Sequence, residues 1–145
     1  MTPEFSDEEY RRLMMLAFLG EWMLNAIRKD EDPAYADVAS KIYSYAKGTA
    51  FESLTEFDGD AEDWVPSETF EEDAHALIDQ YDDITFWEEL TARLTERDLL
   101  ESRGERAVGG MRPDQRERAA SPIAKAYTKE FEEQGLERLR VDENL

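Results

Sequence analysis

Apolar side chains in this chain recur every three or four residues, and alternating runs are nearly absent. That spacing lines them up on one face of a helix and scatters them over both faces of a strand. The chain therefore reads as all-α. Its 145 residues fit one domain, 1–145, expected as a single compact bundle of about five or six helices. The most apolar stretch is Leu13-Met14-Met15-Leu16-Ala17-Phe18-Leu19. A helix apolar on every side is normally buried on every side. A long, very apolar first helix is thus expected at the centre of the bundle, or as half of a homodimer interface through Met14, Phe18 and Met23.

Local signals set the expected boundaries. Ser6-Asp7-Glu8-Glu9 is a capping box, and the helix it opens should run to about Lys29. Asp32-Pro33 opens a second helix with Tyr35, Val38, Ile42 and Tyr45 as its apolar stripe, and Gly48 is a left-handed stop. Phe51, Leu54 and Phe57 suggest a short helix, followed by an acidic loop from Phe57 to Pro66. A third main helix is expected from Ser67 to Tyr81, with Phe70, Ala74, Leu77 and Tyr81 facing in. Asp82-Asp83 should break it, and Thr85-Phe86-Trp87-Glu88 should cap a new helix toward Glu101. That helix would turn Trp87, Leu90 and Leu94 inward and pair Glu89 with Arg93. Residues 103–111 read as a loop, and Pro113 and Ser121-Pro122 each read as a helix start. The last helix, about 122–134, should stop at Gly135, with Leu136, Leu139 and Val141 tucking the tail inward.

Charge is distributed unevenly. No lysine or arginine lies between Lys47 and Arg93, and residues 48–92 carry fifteen carboxylates. The chain divides into an acidic part, 1–92, and a more basic helical part, 93–145. The formal charge of the whole is −19. Three explanations follow. The basic part folds against the acidic middle. Or the acidity serves only solubility or salt adaptation, as in an acidic soluble helical protein with no charge-based function. Or the surface docks a cationic partner, with carboxylates forking arginines and aromatics as anchors.

Composition excludes several classes. There is no cysteine, hence no disulfide framework and no thiolate chemistry. The acidic N-terminus is not a signal peptide, and the apolar run from Leu13 to Ile27 is short of the roughly 20 residues of a membrane span. A cytoplasmic protein without a membrane partner is expected. Phosphates repel such a surface, so direct nucleic-acid binding is not expected. Gly104 and Gly109 have phosphate-loop spacing, but Gly110-Met111 stands where lysine and a hydroxyl belong. Asp58, Asp60 and Glu62 begin like a calcium loop, yet Asp63 replaces its glycine and Thr69 its final glutamate.

The leading reading is a small adaptor or inhibitory module that binds a basic protein surface and needs no cofactor. Its candidate contacts are Asp60, Asp63, Trp64, Glu71, Glu72 and Asp79. The enzymatic alternative is a divalent metal ion held by Glu68, Glu72, His75 and Asp79. Glu72 and His75 form a Glu-x-x-His pair on one helical face, although a dimetal site takes two such pairs. Glu71-Glu72 and Glu88-Glu89 are candidate magnesium ligands for an all-α phosphohydrolase. Glu21 and Asn25 lie one turn apart in the apolar helix and, with Arg28, mark its polar stripe.

Overall fold

The computed structural model describes residues 4–30 and 32–140. Among them the elements run α1 (Asp7–Asn25), α2 (Pro33–Ser44), a 3-10 turn (Glu52–Leu54), β1 (Thr55–Asp58), β2 (Asp63–Pro66), α3 (Glu68–Arg103), α4 (Glu105–Gly109) and α5 (Pro113–Gln134). The helical class is as expected. The chain forms two compact units, 1–80 and 81–145, and α3 contributes to both.

In the first unit, α1 starts where the capping box places it. Glu9 N donates to Ser6 Oγ, and Ser6 N donates back to the Glu9 carboxylate at 2.9 Å. Its core face is Met14 and Phe18, which pack with Ala39 and Tyr43 of α2 and with Phe70, Ala74 and Ile78 of α3. Phe18 meets Phe70 edge-on, centroids 6.3 Å apart. The first helix is not buried all round: Leu16 is 67% and Met23 57% exposed, and the helix ends at Asn25 rather than Lys29. Of the three side chains named for a homodimer face, Met14 and Phe18 are taken up by the chain's own core, and Met23 alone is exposed.

Asp32 and Pro33 open α2 as expected, with Asp32 Oδ1 accepting from Ala34 N at 3.2 Å. The buried face, however, is not the aromatic stripe. Ala39, Ser40, Tyr43 and Ala46 are inside, and Tyr35, Val38 and Tyr45 are exposed. The reason is steric. Helix α2 is packed between α1 and β2, and small residues allow the backbones to approach. Tyr10 Oη donates to the Ile42 carbonyl at 2.6 Å and holds that phase.

Residues 55–66 form a hairpin where a short helix and a loop were expected. Thr55 pairs with Pro66, Glu56 with Val65, Phe57 with Trp64 and Asp58 with Asp63. Asp58 Oδ1 accepts the amides of Asp60 (2.8 Å) and Ala61 (3.3 Å), closing the turn. Neither strand alternates between buried and exposed positions, so no period of two marks them.

Helix α3 is continuous over 36 residues. The expected break at Asp82-Asp83 does not occur, and Thr85-Glu88 sits mid-helix. No glycine or proline lies between Glu68 and Arg103, and two aspartates each cost under about 1 kcal/mol of helix propensity. Gly104, with φ +82°, ends it. Leu77 and Tyr81 are exposed, and Ile78 takes the inward position instead.

The second unit buries Leu99, Val108 and Phe131. Trp87 packs on Phe131 with centroids 5.4 Å apart, and Tyr127 stacks on it at 5.8 Å. The supposed loop 103–111 contains α4, whose Val108 is 2% exposed. The two expected C-terminal starts belong to one helix, α5, which carries Pro122 inside it. Gly135 ends it at φ +54°. Leu136 and Leu139 are 45% exposed and do not tuck inward; Val141 lies outside the described residues. No described helix is long and apolar enough to cross a membrane.

Candidate functional site

The proposed contact residues fall on two neighbouring pieces of the first unit. Asp60, Asp63 and Trp64 belong to the hairpin, and Glu71, Glu72 and Asp79 to α3. The Ser67 amide donates to the Leu54 carbonyl at 2.9 Å and so ties the start of α3 to the base of the hairpin.

Asp63 is a structural carboxylate. Its Oδ1 accepts from the Ser40 hydroxyl and from the Trp64 amide at 3.0 Å. The same amide also donates to Ser40 Oγ at 3.2 Å. This knot fastens β2 to the buried face of α2. Trp64 is on a strand rather than a loop and packs against the core cluster. Phe57 meets it edge-on across the hairpin at 5.8 Å. Lys47 Nζ lies 5.8 Å from the Trp64 ring centroid, so the chain's own lysine already makes a cation–π contact there. Asp60 stands exposed at the hairpin tip.

On α3 the inward positions are Phe70, Ala74 and Ile78. Glu68, Glu71, Glu72, His75 and Asp79 are all exposed. From Glu68 to Gln80 a single ion pair is present among the described residues, Asp73 with Arg11 at 3.8 Å. The arginines of the second unit are differently placed: Arg93 pairs with Glu89, Arg97 with Asp98, Arg112 and Arg118 with Asp114, and Arg116 with Glu96. Every one of these partners lies in the same unit. None is a carboxylate of 48–80.

Helical spacing does place Glu68, Glu72, His75 and Asp79 along one side of α3. A metal needs three or four donors converging on one point. Among the described residues no group of three His, Asp or Glu side chains is placed to hold a metal ion. His75 instead presents its ring to Phe18, edge-on at 5.7 Å.

The polar stripe of α1 is real. Asn25 Nδ2 donates to Glu21 Oε1 at 3.2 Å, the Asp32 amide donates to Asn25 Oδ1 at 3.2 Å, and Arg28 reaches Asp32 at 3.5 Å. Sequence reasoning missed Tyr43, whose buried hydroxyl has no hydrogen-bond partner. Burial, then the nearby Glu21 and Glu71 carboxylates, push its phenol far above the usual range. An unpartnered buried hydroxyl costs about 1–3 kcal/mol. Tyr43→Phe is therefore expected to raise stability by about 1 kcal/mol, measured as an upward shift in urea midpoint. A downward shift would show that the hydroxyl has a partner in solution.

In the second unit, Tyr127 Oη donates to Asp98 and accepts from Arg97 Nη2 at 3.0 Å. The Tyr127 hydrogen bond, then Arg97, hold the Asp98 carboxyl below its ordinary value. This network joins α3 to α5 and is structural. No protein-family model matches the chain, and no curated protein or solved structure matches it either.

Proposed function

We propose that this chain is an interaction module whose first unit docks a basic protein surface. The observation that carries this reading is the absence of internal counter-ions among the described residues for Glu68, Glu71, Glu72 and Asp79 on exposed α3. Five of the second unit's arginines, Arg93, Arg97, Arg112, Arg116 and Arg118, are paired within that unit. Residues 1–80 hold twenty carboxylates and six basic residues, so their field is strongly negative and steers cations toward them. Glu71, Glu72 and Asp79 are the favoured contacts on α3, with Asp60 at the hairpin tip. Trp64 supplies apolar area between them, while Asp63 holds the hairpin in place. The metal reading on Glu68, Glu72, His75 and Asp79 draws on helical spacing alone.

Neutralising rim carboxylates lowers association rates and flattens their salt dependence. The test compares Glu71→Gln/Glu72→Gln/Asp79→Asn with an equal charge change elsewhere, Glu105→Gln/Glu117→Gln/Glu137→Gln. The readout is retention of basic proteins from native lysate at low salt. The α3 variant is expected to lose them and the control variant to keep them. Equal behaviour of the two variants would reduce the acidity to a bulk property.

A further inference from the structure

We infer that the seam between α1 and α2 receives a partner's amphipathic helix, one whose apolar stretch is closed at both ends by arginine or lysine. This rests on the reading of a basic partner and gives that partner a shape. The core takes only one face of each helix, and the seam between them keeps large apolar side chains in the open. Leu16 is 67%, Val38 59% and Tyr45 63% exposed. Two clefts run along the seam and share Ile42. One, of about 470 Å³, lies among Phe5, Tyr10, Leu13, Tyr45 and Phe51. The other, of about 290 Å³, lies among Leu16, Gly20, Leu24, Tyr35 and Val38. Large apolar side chains left open along a cleft of a strongly charged protein are where a partner's apolar residues can bury.

Gly20 is the second observation. It stands inside α1, where glycine costs about 1 kcal/mol relative to alanine. Its φ is not positive, and a Cβ there would meet nothing within 4 Å. No neighbour among the described residues requires the glycine. It keeps the floor of the seam low, which suits close approach by a backbone from outside.

The charges select the occupant. The charged side chains that line the two clefts are Asp7 in one and Glu21 in the other. They sit fourteen positions apart on α1, about 21 Å at the helical rise. A helix in a groove anchors through apolar residues at i, i+3, i+4 and i+7. Cations about fourteen residues apart on it would meet both carboxylates. A second copy of this chain fits less well. An antiparallel two-fold pairing of α1 with itself sets Asp7 against Glu21 at both ends, and like charges across an interface oppose it.

The probe is a fluorescein-labelled leucine- and alanine-rich helical peptide of roughly eighteen residues. One version has arginine at both ends of the stretch, and its twin has glutamate there. Both are titrated against the full chain by fluorescence anisotropy. The arginine peptide is expected to bind at least about tenfold more tightly than its twin. Gly20→Leu, which fills the seam without entering the core, should weaken it by about tenfold or more, with circular dichroism unchanged. Asp7→Asn/Glu21→Gln should remove the difference between the peptides. Equal binding of the two peptides by the wild type, or undiminished binding by Gly20→Leu, overturns the inference. If binding falls only in Glu71→Gln/Glu72→Gln/Asp79→Asn, the seam is wrong and the acidic docking surface stands. If no variant changes it, both readings fail. A dimer in sedimentation that Gly20→Leu dissociates would make a second copy the occupant and overturn the cationic helix.

Discussion

Phe70→Ala removes about 3–5 kcal/mol from the first unit. Phe70 is 1% exposed and sits where all three helices of that unit meet. Its loss opens a cavity between Phe18, Met14 and Tyr43, and the ring that Phe18 meets edge-on disappears. Natural domains are stable by only about 5–15 kcal/mol, so most of the unit's stability is at stake. Hydrogen exchange followed by mass spectrometry reads the outcome locally. Amides of α1 and α2 should lose protection, whereas those of α5 keep theirs, because the Leu99, Val108 and Phe131 core does not contain the substituted residue. Uniform loss along the chain would show that the two units unfold as one.

The second large effect has the opposite sign. Pro122 lies inside α5 and is exposed. Its ring has no amide to give the Arg118 carbonyl, and an interior proline costs a helix about 3 kcal/mol. Pro122→Ala restores the bond without disturbing a packed side chain. The second unit should gain about 1–3 kcal/mol, and its melting temperature should rise by about 4–8 °C for each kcal/mol. A lower melting temperature would mean that the proline sets a bend on which the packing of Phe131 against Trp87 depends.

The helix starts were legible in the residues because caps act locally. Ser6 with Glu9, and Asp32 with Pro33, need nothing beyond their own turn. The Glu89–Arg93 pair, at 3.1 Å, is equally local. Which face of α2 goes inside was not legible. The aromatic stripe outweighs Ala39, Ser40 and Ala46 in hydrophobicity, but α2 is flanked by α1 and β2, and close approach decided the phase. The hairpin was missed for a related reason. Its register depends on Asp58 closing the turn and on Ser40, 23 residues upstream, gripping Asp63. Continuity of α3 was misjudged because Asp82-Asp83 and Thr85 look like punctuation, although no residue there forbids a helix. The charge imbalance was plain in the residues. How few internal partners the α3 carboxylates from Glu68 to Gln80 have became visible only in the structure, where among the described residues Asp73 alone is paired, with Arg11.

The placement of Lys47 has a practical side. Trypsin cuts after lysine and arginine, and Lys47 and Arg93 bracket the hairpin and the first half of α3. Lys47 is drawn over the Trp64 indole and Arg93 is held by Glu89. The acidic surface therefore contains no tryptic site of its own, and both flanking sites are engaged in the folded chain. Digestion of the unfolded chain releases residues 48–93 whole, hairpin and carboxylates together, as a single fragment that carries Trp64 and Trp87 as its ultraviolet labels.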